Sequence, residues 1–462
     1  MTMFKSLQSS HFRTSIVIFG GICVHLSIGS FYIFGNISPY MISYLRNRTD
    51  EHSLKNVDNL WISNAAALTG PFGMVLGGIM DRKFGVRVST GIGCLIFCLG
   101  VFLTHFSLKR SLVLVAITYG CVTNMGSSWA YGPPIQTAAK WMVKWPSVAM
   151  GLILCGFGGG ALIFNQVVTA YINPNNLSPD YEDENGDKFF TNKDVLDRVP
   201  NLFFILSGIY LGMQALGVLL LSNPSWKPML IEQVPGTNGD HKEDEKGTEK
   251  DGETVGLIPS PEPSIAEVLK TMLSNKNSWI WVVILFLVYG GMTFVNGLYK
   301  AYGQTFISDD HFLAWIGSLS SIFNCLFRPV WGFVMDRYGF QVAVKCICTG
   351  FVCFCCTLLF TEDLPKYAYL LWICCLYACY CGVFVVGPAV FGKLFGLDNI
   401  ALNLGLTFAA LTVAQISSGF IGLNLQSTLG WHGLFLLAGA MGTVAFFISF
   451  LFDGKDQRGN PI

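Results

Sequence analysis

Long apolar runs broken by short polar segments recur along the whole chain, and each reaches the roughly twenty residues that an α-helix needs to cross a hydrocarbon core of about 30 Å. They fall at 14–43, 58–80, 87–107, 111–137, 147–172, 200–221, 278–304, 312–335, 341–361, 367–392, 400–424 and 431–452. The pattern predicts an all-α membrane protein of twelve transmembrane helices, with the lipid bilayer as its surroundings. Only two connections are long. The stretch from Asn173 to Pro200 carries seven acidic against three basic residues, has no apolar periodicity, and reads as an external loop without regular structure. The second, 223–276, contains a charged low-complexity tract that cannot bury a core. It divides the chain into a bundle at 1–222, a largely disordered linker at 223–276, and a bundle at 277–462. Inside the linker, Ser264-Ile-Ala-Glu267 has the form of a capping box. It opens a short amphipathic helix with Ile265, Leu269, Met272 and Leu273 on one face, expected to lie along the membrane surface.

Composition sharpens this picture: 52% hydrophobic against 13% charged residues over 462 positions is too apolar for a soluble chain of this length. Formal net charge is zero, which removes any electrostatic case for nucleic acid as a partner. The fifteen cysteines lie within apolar runs, with no ligand spacing for a metal and no disulfide framework, so they are expected to be packing residues. No cofactor is implied, and a monomer is expected. The polar first thirteen residues lead straight into an apolar helix, as in a retained first span rather than a cleaved signal. Lys and Arg are spread almost evenly over the two sides, so the positive-inside rule decides little. The glycosylation sequons at Asn47 and Asn176 fall on one side and favour both termini inside, in the plasma membrane, although a Pro after Ser178 weakens the second.

The halves repeat one another. Gly77-Gly-Ile-Met-Asp81-Arg82 is matched by Gly332-Phe-Val-Met-Asp336-Arg337, and Gly132-Pro133 by Gly387-Pro388, both at an offset of 255 residues. Met150-Gly151-Leu152 answers Leu404-Gly405-Leu406 at 254. With these markers the chain resembles the major facilitator superfamily, which implies two pseudo-symmetric six-helix bundles and an Asp-Arg gating motif at Asp81, Arg82, Asp336 and Arg337. The plain alternative is that these cations only set topology. The first copy departs from the pattern, with Lys83-Phe84 before Gly85 where Tyr338 alone precedes Gly339.

No Asp or Glu lies in the interior of a predicted span, and the only arginine in such an interior is Arg328, eight residues and roughly 12 Å from the helix end at Asp336. A mid-span arginine costs about 2.5 to 3.5 kcal/mol on insertion scales. Either a substrate carboxylate is its missing partner, matched by the guanidinium fork, or Asn324 and backbone carbonyls satisfy it for structure alone. Polar stripes at helical spacing surround it in the sequence: His25, Tyr32 and Asn36; Asn124, Ser128 and Tyr131; Asn296 and Tyr299; Ser321 and Asn324; Tyr377, Tyr380 and Phe384. The superfamily places the first, fourth, seventh and tenth helices around its cavity. His25 is equally a substrate ligand or proton carrier and a helix-packing hydrogen bond; Lys300 reads as a snorkelling interface residue.

Within the superfamily the chain is most similar to the oxalate/formate antiporters, through Gly29-Ser-Phe-Tyr32, Tyr131-Gly-Pro-Pro134, Gly156-Phe-Gly158 and Asn324-Cys-Leu-Phe-Arg328-Pro-Val-Trp331-Gly332. That resemblance assigns carboxylate binding to Arg328. The family's second cation, a lysine, falls on Leu411 and is absent, which shifts the expected cargo from oxalate towards formate, lactate or pyruvate. Monocarboxylate transporters are the related alternative, with Asn324 here where their D-x-x-x-R pattern carries an Asp. The expectation is therefore a small-organic-anion transporter and not an enzyme, with a proton symporter or a non-transporting nutrient sensor of the same fold as alternatives.

Overall fold

The protein is described here by a computed structural model that covers residues 2–182, 188–224, 263–303, 305–307, 309–457 and 459–462. The acidic tract of the linker, 235–255, lies outside the described residues.

Among the described residues nine segments are long and apolar enough to cross a membrane, with a shorter apolar helix at Phe12–Ile28. Twelve crossings are consistent with this count, because local geometry interrupts or fuses some of them. The first span is Thr2–Ile28, a 3-10 turn at Gly29–Ile33, and Phe34–Arg48. Its helix starts well before residue 14, earlier than the hydropathy pattern indicates. The turn sits where Gly29 presses against the Phe157 carbonyl, an approach that a Cβ would block. Spans two, three, five, six and seven are Leu60–Phe84, Val86–Ser107, Pro146–Ile172, Lys193–Leu220 and Lys276–Gly303. The fourth is Leu112–Val115, a π-helical segment at Ala116–Val122, and Thr123–Trp141. Spans eight and nine share Asp310–Thr357, turning at Gly339; the tenth is Lys366–Tyr380 and Gly382–Phe395; the last two share Ile400–Ser449, turning at Gly430.

Gly85 and Gly339 take the same positive φ, 81° and 82°, at equivalent turns. The extra residue in the first copy is thus absorbed without changing the conformation that needs glycine. The acidic loop has more order than its composition suggests: Tyr181–Glu182 pairs antiparallel with Lys188–Phe189. Beside this hairpin the Asp180 carboxylate accepts the Thr191 amide and hydroxyl, each at 2.6 Å, which holds its pKa below the ordinary range. The linker helix is Ile265–Ser274, with Ser264 and Glu267 capping each other reciprocally. Its buried face is Val268 and Met272, whereas Leu273 points outward.

The halves meet chiefly through span five against span eight and span two against span eleven. The repeat offset interconverts those two pairs, so one contact is used twice. Gly151 packs on Arg328 and Pro329, and its counterpart Gly405 packs on Pro71 and Val75. Small residues at these crossings let the backbones approach closely.

Candidate functional site

On the linker side the two bundles are in contact. The Asp336 carboxylate accepts the backbone N–H groups of Ser147 and Val148 at 3.1 and 3.0 Å, capping the positive N-terminus of span five from the opposite bundle. Its repeat partner Asp81 acts through an intermediary: Gln136 donates to Asp81 at 2.7 Å and accepts the Ala401 N–H at 3.0 Å, at the N-terminus of span eleven. Lys140 and Asp398 form a further cross-bundle ion pair at 2.6 Å. Arg82 donates to the Pro263 carbonyl at 2.7 Å, tying the linker end to span two, whereas Arg337 is exposed.

Away from this seal, a cavity of about 610 Å³ opens between the bundles on the side of the acidic loop. Span five lines it with Asn165, Gln166 and Thr169, span seven with Asn296, Tyr299 and Lys300, span eight with Ser321 and Asn324, and span ten with Tyr377 and Tyr380. Tyr377 donates to Asn296. Lys300, near the outer end of span seven, also lines this cavity. The polar residues of span five went unnoticed in the sequence, although Asn165 and Thr169 share a face at i, i+4 spacing.

Deeper lies a smaller pocket of about 100 Å³, lined by Tyr131, Asn124 and Ser128 of span four, Tyr289 of span seven, Phe384 of span ten, and Leu411, Thr412 and Gln415 of span eleven. Tyr289 donates to Gln415 at 3.2 Å, a pairing that sequence spacing does not reveal. Tyr32, 42% exposed, borders both cavities from the turn that interrupts span one.

Arg328 sits behind this pocket and contributes to the lining of neither cavity; its exposure is 0%. The guanidinium donates twice to Asn324 Oδ1, at 3.2 and 2.9 Å, and once to the Leu154 carbonyl of span five at 3.0 Å. Its carbon lies 5.9 Å from the ring centre of Phe157 and 5.3 Å from that of Phe384, within cation–π range. The titratable groups beside it are Tyr32, Tyr131, Tyr380 and Cys381. The guanidinium is thus engaged by Asn324, the Leu154 carbonyl and the Tyr32 hydroxyl, so the contacts expected for a purely structural arginine are present alongside those expected of a ligand.

His25 is likewise buried away from both cavities. Its Nδ1 is 3.0 Å from the Gly21 carbonyl, its ring packs 5.2 Å from Tyr131, and the Tyr131 backbone is a second hydrogen-bonding neighbour. Of the sequons, Asn176 is exposed. Asn47 is exposed as well, and donates its amide to the carbonyls of Ser43 and Phe190 at 2.8 and 3.2 Å.

Residues 281–462 match the sequence model of the Major Facilitator Superfamily. The chain is 25% identical to apicoplast pyruvate carrier 1 of Toxoplasma gondii over 91% of its own length and 85% of that protein's. It is 22% identical to the oxalate:formate antiporter of Oxalobacter formigenes, covering 85% and 83%. Among solved structures, the Escherichia coli fucose:proton symporter matches 96% of this chain and 99% of its own at a TM-score of 0.64 and 11% identity. A second such transporter structure, in the outward conformation, matches 94% and 98% at 0.63 and 13%.

Proposed function

We propose that this chain, a membrane transporter of the major facilitator superfamily, carries small monocarboxylates such as pyruvate, lactate or formate by alternating access, exchanging them or letting them run down their gradient. The observation that carries the proposal is Arg328: a guanidinium buried at mid-span, with tyrosines, a cysteine and an amide around it and, among the described residues, no carboxylate in contact. A charge in that position is expensive unless paired, and a carboxylate can take donors that Asn324, Leu154 and the Tyr32 hydroxyl do not use, or displace that hydroxyl. Relatives named as pyruvate carriers and as an oxalate:formate antiporter support the same cargo class. Leu411 in the small pocket, with no second cation there, favours one carboxylate over two.

The test is uptake of labelled pyruvate and oxalate into proteoliposomes. Replacing Arg328 by Ala removes a charge-assisted pair worth roughly 1.5 to 3 kcal/mol, so anion affinity is expected to fall about ten- to more than hundredfold. Arg328→Lys keeps the charge but not the planar fork, and is expected to restore part of it. Intact transport in Arg328→Ala, with poor delivery of the protein to the membrane, would make the residue structural and remove the main support for an anionic cargo.

Proton symport is a second reading, supported by an imidazole, His25, within span one against Tyr131 of the small pocket. Dependence of uptake on an imposed inward proton gradient, abolished by His25→Gln, establishes it in place of exchange. For topology, both termini and the linker are assigned to the cytoplasmic side of the plasma membrane, a reading supported by the exposure of Asn176 in the acidic loop.

A further inference from the structure

The rings that touch Arg328 are also rings that line the small pocket. Phe157 comes from span five in the first bundle and Phe384 from span ten in the second. Both appear in the pocket wall together with Tyr32, while the guanidinium between them and the Asn324–Leu154 bonds does not reach the surface. Phe157 is held in place by edge contacts with Tyr32 and Tyr131 at 5.4 and 5.2 Å, and Phe384 by Tyr289 and Tyr380 at 6.3 and 5.3 Å. An anion in the pocket therefore meets the edges and faces of two phenylalanines before it meets a positive charge.

We propose that Phe157 and Phe384 are stand-in ligands for Arg328 in the empty transporter, and that a carboxylate binds by displacing these rings from the guanidinium. The proposal rests on Arg328 being the anion's counter-charge. A ring face carries partial negative charge and offsets part of the cost of the buried cation while no substrate is present. The carboxylate that replaces it must outcompete the rings, so a stronger ring–cation contact means a weaker anion affinity. A neutral solute of the same size gains nothing from the swap and leaves the cation covered. The two phenylalanines are thus specificity-determining positions for charge, a role distinct from packing the cargo's methyl group.

The contact can be weakened at nearly constant shape by placing mono-, di- and trifluorinated phenylalanine at 384, and separately at 157, in the full-length protein in proteoliposomes. Fluorination drains the ring face of negative charge. The half-saturating concentration for formate, which has no methyl group to pack, is expected to fall stepwise with fluorine number, by about two- to thirtyfold overall, with pyruvate following. Phe384→Tyr, which keeps an aromatic face, is expected to stay near the native value. Half-saturation that is unchanged, or that rises with fluorination at both positions, overturns the proposal. Arg328→Ala measured in parallel separates the two claims: intact anion uptake there removes the counter-charge itself, whereas lost uptake combined with no fluorine effect removes only the role of the rings.

Discussion

Asn324 holds Arg328 through a single oxygen that accepts from both Nε and Nη2, which makes it the residue whose charge most directly sets how much of the guanidinium remains for an anion. In Asn324→Asp a carboxylate four residues away would occupy the same donors and neutralise the cation. Pyruvate uptake by that variant is expected to be below native at neutral pH and to recover only in acid below the ordinary carboxylate range, because the guanidinium holds the new carboxyl ionised and only its protonation frees Arg328 to pair with substrate. A pH profile as flat as the native one would show that Arg328 does not meet the anion. Leu411 allows the converse experiment, since it lines the pocket at the level of Thr412 and Gln415. Leu411→Lys would add a second cation to the wall, and oxalate uptake is expected to rise relative to pyruvate in a competition assay.

Helix ends govern the closed side of the molecule. Asp336 caps span five from the other bundle with two N–H bonds, whereas Asp81 reaches span eleven only through Gln136. Removing a cap of this kind costs about 0.5 to 2 kcal/mol. Since the cost falls only on the state in which the bundles touch there, Asp336→Ala is expected to shift the population about two- to thirtyfold towards opening on the linker side. The measurement is alkylation of a cysteine introduced at Asn165 in the large cavity, which should slow in the variant. Gly332 gives an independent handle, because a Cβ there would collide with the Ser147 carbonyl. Gly332→Val is expected to prevent closure and abolish exchange while leaving each bundle folded.

At the scale of the whole molecule, the cavity opens on the acidic-loop side while the linker side is sealed. Cysteines placed between residues 235 and 255 are expected to react with impermeant reagents only from the cytoplasmic side, and labelling from outside would invert the topology. Much at this scale was legible in the chain alone. The apolar runs must become helices because lipid offers no partner to an unpaired backbone, and the repeated glycine, proline and aspartate positions imply two equivalent bundles. The uncompensated arginine also stands out by cost alone. Tertiary structure decided the rest. A 3.6-residue period tells which side chains share a face of a helix, but not which neighbour that face meets. That is why Lys300 proves to line the cavity and Arg328 to hide behind Phe157 and Phe384: these contacts join residues far apart in sequence, and only the packing of whole bundles fixes them.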